Sequence, residues 1–190
     1  MNAVVAERLV LRALRADDAD AIFAYRTDPA IMRYQGWEPK SADEVRTFIA
    51  ELDTAKPFAP GTWYQLGIAL RSTDELIGDC GVHVPQTEPD QAEFGITLAP
   101  AFHGQGYAAE AIRTMLRLAF DTLGKHRVFG SIDPRNTRSI ALMHRTGFRQ
   151  EAHFVESLRF KGEWVDDVVF AMLRREWAGD KQSIVQTPTS

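Results

Sequence analysis

The sequence predicts one domain of mixed α/β (α+β) type, in which a central sheet of about seven strands is flanked by about four helices. The chain has 190 residues, which suits a single domain, and 45% hydrophobic with 25% charged residues is the composition of a globular protein. In the middle of the chain, strand-like runs follow one another directly, and later strand and helix patterns alternate. This order indicates a mostly antiparallel sheet with a crossover unit.

The first third of the chain carries one strand and two helices. Residues 7–14 have the alternating pattern of a short strand, and a helix follows from about Asp17. Ser41 with Glu44 three positions later matches a capping box, which predicts a second helix that runs to about Lys56.

Three strands of a meander come next, after a break rich in Pro and Gly. The strand-like runs cover 63–71, 76–84 and 92–98, and a turn-forming segment at 72–75 separates the first two. Because the connections are short, we expect these strands to pair antiparallel.

The second half of the chain alternates strands and helices. An amphipathic helix follows the loop after residue 98, and its apolar face is formed by Ile112, Met115, Leu116, Ala119 and Phe120. Further elements are predicted at 128–132 (strand), 136–146 (helix ended by Gly147), and 154–160 and 164–173 (strands joined by a hairpin loop). We assign residues 1–177 to the domain and expect the polar tail, 178–190, to be disordered.

Several classes of protein are excluded by composition. The net charge of −4 and the pI near 5.7 argue against a general nucleic-acid binder. No apolar run approaches the roughly 20 residues of a membrane helix, and the amino terminus lacks a secretory signal. Cys80 is the single cysteine, so an intramolecular disulfide is impossible and a cytoplasmic location is expected. The five histidines show no metal-binding spacing, and we expect no metal.

A local basic cluster departs from the acidic average. Between residues 125 and 149, Asp133 is the only acidic residue. The basic residues of this stretch are Lys125, Arg127, Arg135, Arg138, Arg145 and Arg149. They would attract a small anion, or alternatively solvate one face of a helix.

The strand at 92–98 leads through a glycine-bearing loop directly into a helix. Gly104 and Gly106 allow positive φ and a close approach of the backbone, and the first N–H groups of a helix lack internal partners at the positive end of its dipole. A pyrophosphate would fit there, although a purely structural turn explains the two glycines equally well. The dinucleotide fingerprint fails because Ala109 occupies its third glycine position, and no P-loop Gly-Lys-Ser/Thr follows.

Five motifs, in order, resemble the GNAT acyltransferases, and within them the ribosomal-protein-alanine N-acetyltransferase branch. The motifs are Arg8-Leu9-Val10-Leu11-Arg12, Ala92-Glu93-Phe94-Gly95, Gly104-Gln105-Gly106-Tyr107-Ala108-Ala109-Glu110-Ala111, Asn136-Thr137-Arg138-Ser139 with Gly147-Phe148, and Lys161-Gly162-Glu163-Trp164-Val165-Asp166-Asp167. The resemblance extends to about Trp177, and it implies a GNAT-type sheet splayed between its fourth and fifth strands, with the pantetheine of acetyl-CoA in the opening.

The resemblance also assigns roles to residues. The backbone of the loop would cradle the CoA pyrophosphate at Phe102, His103, Gly104, Gln105, Gly106, Tyr107 and Ala108. The strand from Ile96 to Leu98 would pair with the pantetheine amides, and the Leu98 N–H would hold the oxyanion. Asn136 would hydrogen-bond the pantetheine, Ser139 would lie near the thioester, and Arg145, with Arg135 and Arg138, would meet the adenosine phosphate.

The catalytic groups are less well defined by the resemblance. Many relatives place a tyrosine acid where this chain has Met143, so Ser139 becomes the candidate acid, although it is equally explained as a hydroxyl that binds backbone at the helix start. Glu93 and Glu156 are the candidate bases, each alternatively a structural carboxylate. Many relatives also have Gln or Arg where this chain has Ala101.

The leading hypothesis for the acceptor is a protein or peptide N-terminal α-amine. An α-amine with a pKa near 8 is about one-tenth neutral at pH 7, far more than a lysine, and therefore needs less base catalysis. The alternatives are a small amine such as an aminoglycoside or polyamine, a non-catalytic acyl-CoA-binding module, and, least favoured, a nucleic-acid binder. The sequence leaves open a larger acyl donor and a monomer or homodimer.

Overall fold

Eight strands form one sheet in the computed structural model, which describes residues 3–177. The strands are β1 (Val4–Val5), β2 (Leu9–Ala13), β3 (Trp63–Leu70), β4 (Leu76–His83), β5 (Gln91–Leu98), β6 (Arg127–Ile132), β7 (Arg149–Phe160) and β8 (Glu163–Leu173). Their order across the sheet is β1-β2-β3-β4-β5-β6-β8-β7, and every neighbouring pair is antiparallel except β5 and β6. The predicted mixed, mostly antiparallel sheet is confirmed, and the short β1 adds one strand to it.

Five helices connect the strands. They are α1 (Ala19–Arg26), α2 (Pro29–Met32), α3 (Ala42–Thr54), α4 (Tyr107–Arg117) and α5 (Thr137–Arg145). A π-helical turn, Leu118–Thr122, continues α4. Helix α2 was not among the four predicted helices. It has only four residues and begins at Pro29, and the Asp28 side chain before it accepts a hydrogen bond from the Ala30 N–H. The predicted tail, 178–190, lies outside the described residues.

The capping box predicted at the start of α3 is half formed. Ser41 Oγ accepts the Glu44 N–H at 3.2 Å, as expected. The Glu44 carboxylate, however, accepts from the N–H of Lys40 at 2.9 Å, one residue earlier than a capping box requires.

The core lies on both faces of the sheet. One face is covered by α4, whose side chains Ile112, Met115 and Leu116 are buried against strand residues such as Leu66. The other face carries a smaller cluster in which Ile22 of α1 and Ile49 of α3 are buried. Within the sheet, the region where β5 and β6 meet departs from regular pairing.

Strands β5 and β6 pair over three residues and then separate. Their parallel register runs from Gln91↔Arg127 to Glu93↔Phe129. Beyond that point, β6 continues to pair with β8 as far as Ile132, and β5 continues to pair with β4 as far as Leu98. The fourth and fifth strands of the prediction are β5 and β6, because β1 was not predicted. The predicted splay between them is therefore present, as a fork that starts after Glu93.

No helix between residues 3 and 177 is both long enough and apolar enough to cross a bilayer.

Candidate active site

A cavity of about 180 Å³ occupies the fork between β5 and β6. Side chains and backbone from β5, β6, α4, α5 and the segment after α2 line it. The lining residues are Tyr34, Gln35, Phe94, Gly95, Ile96, Ile112, Gly130, Ser131, Ile132, Asp133, Asn136, Ser139, Leu142 and Met143. The fold thus brings together Ile96, Asn136 and Ser139, three residues that the resemblance assigned to one site.

Strand β5 directs alternate backbone groups into the fork. The Ala99 N–H donates to the Ile77 carbonyl at 2.8 Å, and the antiparallel register of β4 and β5 continues that bond at every second residue. The intervening residues Ile96 and Leu98 therefore point their N–H and C=O groups away from β4 and into the fork. This is the orientation that pairing with pantetheine and oxyanion binding by the Leu98 N–H require.

The loop before α4 has the geometry of an anion site. Gly104 and Gly106 have φ of 76° and 83°, and Gly106 is the N-cap of α4. The first intrahelical hydrogen bond is the one from the Glu110 N–H to the Gly106 carbonyl, at 3.2 Å. The N–H groups of Tyr107, Ala108 and Ala109 therefore have no acceptor within the helix and are directed toward its positive end.

Side chains of this loop bind the loop itself. The Nε2 atom of His103 lies 2.8 Å from the Leu98 carbonyl, and Gln105 donates its side-chain amide to the Ala101 carbonyl at 2.9 Å. The rings of Phe102 and Tyr107 meet edge to face, with centroids 6.2 Å apart. The N–H groups of Phe102 and His103 donate to the carbonyls of Ala99 and Pro100, at 2.9 and 3.1 Å, and are therefore not available to a phosphate, contrary to expectation. The backbone N–H groups from Gly104 onward are the ones that remain for it.

The start of α5 places two polar side chains at the cavity. Asn136 is the N-cap, and its Oδ1 accepts the Ser139 N–H at 3.2 Å. The amide nitrogen of Asn136 then remains for a ligand in the cavity. Met143, one turn further along α5, is buried in the cavity wall, and no hydroxyl group is present at that position.

Three of the six residues of the basic cluster, Arg127, Arg135 and Arg149, form ion pairs with acidic residues. Arg135 forms an ion pair with Asp133 at 2.5 Å, and its hydrogen bonds hold the pKa of Asp133 below the usual range. Arg127 and Arg149 pair with Glu151, and Arg149 also pairs with Glu176.

Two arginines of the cluster differ from the others. Arg138 and Arg145 are exposed on α5, and within residues 3–177 neither forms an ion pair. They remain the candidates for the adenosine phosphate. Because acidic residues neutralise Arg127, Arg135 and Arg149, and Lys125 is bound to the Pro89 carbonyl, the cluster offers less basic surface to a nucleic acid than its sequence indicated.

Glu93 lies at the origin of the fork, in the last residue pair before β5 and β6 separate. Burial raises the pKa of Glu93 above its ordinary value of 4.5. His83, whose Nδ1 lies 3.7 Å from the Glu93 carboxylate on the neighbouring strand β4, opposes this rise, and Asp167 adds to it. Asp167 itself accepts a hydrogen bond from Ser131 Oγ at 2.5 Å. A carboxylate with a raised pKa beside the cavity is placed as a general base requires.

Glu156, the other candidate base, lies elsewhere. It is exposed at an irregularity in the edge strand β7, with φ of 45°, and its N–H donates to the Asp166 carboxylate at 2.9 Å. Its side chain does not line the cavity. Glu93 does not line the cavity either, but it lies in the last residue pair of β5 and β6 and directly precedes Phe94, which does line it.

Of the aromatic residues considered for the acceptor pocket, Tyr34 lines the cavity, and its hydroxyl donates to the Arg135 carbonyl at 3.2 Å. Trp37 packs in the smaller core cluster, and Trp63 stacks on His83 at a centroid distance of 5.2 Å. Phe154 is half exposed.

Sequence reasoning gave no role to Arg8, His83 or Asp167. Arg8 and Asp167 lie within motifs that carried the family resemblance, which was the available signal. Their partners are far away in the chain, so the contacts appear only in the folded structure.

Comparison with known proteins identifies the family. The model of the acetyltransferase (GNAT) domain matches residues 8–149. The chain belongs to the GNAT acetyltransferase family. It is 31% identical to the uncharacterized N-acetyltransferase p20 of Bacillus licheniformis, over 94% of this chain and 100% of that protein. It is 26% identical to the [ribosomal protein uS5]-alanine N-acetyltransferase of Escherichia coli K12, over 90% of each chain.

A solved structure extends the comparison to a bound cosubstrate. The spermidine N-acetyltransferase of Vibrio cholerae in complex with CoA and spermine superposes on this GNAT protein with a TM-score of 0.76, at 25% identity, over 90% of this chain and 98% of that one. The protein is therefore an acetyl-CoA-dependent N-acetyltransferase. In the described part of the chain, no three His, Cys, Asp or Glu side chains gather as metal ligands.

Proposed function

We propose that this acetyltransferase transfers the acetyl group to the N-terminal α-amine of a protein or peptide in the cytoplasm, by direct attack in a ternary complex. The E. coli relative that acts on ribosomal protein uS5 supports this acceptor class. The observation that carries the proposal is the distribution of charge around the cavity.

The cavity offers few carboxylates to a cationic acceptor. Among residues 3–177, Asp133 is the only acidic side chain that lines it, and Arg135 already neutralises Asp133. Glu38, in the neighbouring segment, is paired with Lys161. Glu93 and Asp167 remain, and the charge of Asp167 raises the pKa of Glu93. A peptide terminus carries a single amine, whereas a polyamine carries several charges that would each need a partner.

The segment that follows α2 covers one side of the cavity. Lys161, at the tip of the β7–β8 hairpin, donates to the Met32 carbonyl at 2.5 Å and pairs with Glu38. On the other side, the Tyr34 hydroxyl binds the Arg135 carbonyl beside β6. Because this segment is held at both sides, the cavity favours an acceptor that enters by a chain end over one that enters from the middle of a chain.

The proposed chemistry uses the groups of the fork. Glu93 takes the proton of the α-amine, directly or through water, and the neutral nitrogen attacks the thioester carbon. The Leu98 N–H stabilises the oxyanion, and Ser139 donates a proton to the departing CoA thiolate. Cys80 is buried, and burial raises the pKa of its thiol far above the usual range, which counts against an acetyl-cysteine intermediate.

The test compares acceptors that differ in one amine. Release of CoA thiol is measured with a peptide that begins with a free Ala or Ser, with the same peptide N-terminally acetylated but containing a lysine, and with spermidine. Turnover of the free-terminus peptide alone supports the proposal. Turnover of the lysine peptide at an equal rate contradicts it.

Two glycine variants show whether turnover depends on the loop. Gly106→Glu adds a negative charge at the proposed phosphate site and should abolish turnover. Gly124→Glu is the matched control, because Gly124 also has positive φ, at 66°, and a Cβ there would meet nothing within 4 Å. Mass spectrometry of the enzyme with acetyl-CoA and no acceptor should show no acetylated protein.

Acetylation of a small amine is the second candidate function. The similarity to the V. cholerae structure that holds spermine favours it, as does the charge effect of Asp167 on Glu93, which shows two acidic groups on this side of the sheet. A higher kcat/KM for spermidine than for every free-terminus peptide would establish this candidate in place of the first.

A further inference from the structure

Arg8, just before β2, is bound to the loop that precedes α4. Its backbone N–H and its Nε both donate to the Glu110 carboxylate, at 2.6 and 2.7 Å. Its Nη1 donates to the Gln105 carbonyl at 3.1 Å, and its guanidinium lies 4.5 Å from the centroid of the Tyr107 ring. One side chain therefore contacts residues on both sides of Gly106, the N-cap of α4.

The contact with Gln105 orients a peptide group of the loop. In a trans peptide the C=O and the following N–H point in opposite directions. When Arg8 holds the Gln105 carbonyl, the Gly106 N–H is directed to the other side of the loop. The fit around Gly106 is close, because a Cβ there would lie 3.3 Å from the Nη2 of Arg8.

The contact with Glu110 removes a repulsive charge. Glu110 lies in the first turn of α4, next to the N–H groups of Tyr107, Ala108 and Ala109. An unpaired carboxylate there would repel the CoA pyrophosphate. Arg8, whose guanidinium is always charged, neutralises it, and two hydrogen bonds join the two residues.

We propose that Arg8 is a positioning residue for the CoA pyrophosphate: it holds the 104–107 loop in its binding geometry and neutralises Glu110. The Arg8 side chain is 45% exposed, and an ion pair this exposed contributes little to folding stability. Its loss should therefore appear in cosubstrate binding and leave stability nearly unchanged. The proposal depends on CoA use by the family and is independent of the identity of the acceptor.

The test is the Arg8→Met variant, which keeps the length of the side chain and removes its charge and hydrogen bonds. We expect the Kd for CoA, measured by calorimetry without acceptor, and the KM for acetyl-CoA to rise about tenfold or more, the loss typical of one charge-assisted hydrogen bond. The kcat at saturating acetyl-CoA and the KM for the acceptor should stay within about twofold.

Arg117→Met is the matched control. Arg117 also links α4 to the amino-terminal segment, through its 3.1 Å hydrogen bond to the Val5 carbonyl, but at the other end of the helix. Its loss should leave the Kd for CoA unchanged. Equal effects of the two variants on the Kd would show that Arg8 only ties the segment down, and would overturn the proposal.

A double variant separates the two contributions of Arg8. In Arg8→Met/Glu110→Gln no carboxylate remains to repel the pyrophosphate, but the Gln105 carbonyl is still released. We expect partial recovery of the Kd for CoA, with a remaining loss of at least about threefold. An Arg8→Met enzyme with wild-type Kd would refute the proposal directly.

Discussion

A methyl group at position 78 should slow catalysis because it displaces the end of β5. Gly78 pairs with Leu98 across β4 and β5. A Cβ there would lie 2.2 Å from the Thr97 carbonyl oxygen, 2.6 Å from Leu98 Cδ2 and 2.9 Å from Leu98 Cα. Two of these atoms belong to the backbone, so a change of rotamer cannot remove the clash, and the strands must separate by about 1 Å.

The displacement can be expressed as a rate. The Leu98 N–H is the proposed oxyanion donor, and a misplacement of about 1 Å at a catalytic group costs about 100-fold in rate. We therefore expect Gly78→Ala to lower kcat about 100-fold, which corresponds to about 2.7 kcal/mol. Overpacking should also lower the free energy of unfolding by about 1–3 kcal/mol.

Gly81→Ala is the control for Gly78→Ala. Gly81 lies on the same strand, but the nearest atoms to its added Cβ are side-chain atoms, Gln65 Oε1 at 2.7 Å and Trp63 Cε3 at 3.0 Å, which can move. Thiol release at saturating substrates and thermal melting compare the two variants. A Gly78→Ala enzyme that is destabilised as expected but keeps the full kcat would refute the role of the Leu98 N–H.

Three further predictions concern single side chains. Glu93→Gln should lower kcat/KM by about 10²–10⁴, because the base acts only when it is deprotonated. The wild-type kcat/KM should rise twice with pH, first as Glu93 loses its proton, with a pKa that burial raises above 4.5, and then as the acceptor amine does; the variant should lose the first rise. Asp167→Asn should move the first rise to lower pH, and a pH profile that neither variant changes would exclude Glu93 as the base. Asp79→Ala should destabilise the fold by about 3–5 kcal/mol in urea unfolding, because it leaves the buried Arg26, 2.5 Å away, without its partner; a loss below about 1 kcal/mol would contradict this. Asn136→Asp should keep the cap of α5 and the stability of the protein, but it should weaken CoA binding. Asn136→Ala should weaken CoA binding and also lower the free energy of unfolding by about 0.5–2 kcal/mol. A CoA affinity of Asn136→Asp equal to that of the wild type would show that the amide does not contact the ligand.

The sequence predicted the elements with a clear period and missed those without one. The apolar stripe of α4 was found because one side of the helix is buried. Strands β3 and β4 were found as strand-like runs separated by a turn-forming segment, and β4 is buried on both faces. Strand β7 begins at Arg149, five residues before the predicted start, because this edge strand is exposed on both faces and has no hydrophobic alternation. The four residues of α2 are too few to show a helical period.

The candidate site was predictable where it is local. The loop from Phe102 to Ala108 and the cap of α5 are continuous segments whose geometry follows from glycine and capping chemistry. The contact of Arg8 with Glu110 and the effect of Asp167 on Glu93 join residues far apart in the chain, which only the tertiary fold brings near each other. For the same reason, the sequence did not predict that Arg127 and Arg149 of the basic cluster are neutralised, because their partners Glu151 and Glu176 lie beyond the cluster in sequence.

The fork between β5 and β6 has a mechanical consequence. The two halves of the sheet are joined there by only three residue pairs, and beyond Glu93 the backbone groups of Ile96 and Leu98 face an opening. Under the proposed pairing with pantetheine, the cosubstrate supplies the missing strand, and the halves are held together along their length only while it is bound. Stability should then rise with CoA concentration, by about 2.7 kcal/mol at 100 times the Kd, and each turnover adds one strand to the sheet and removes it again.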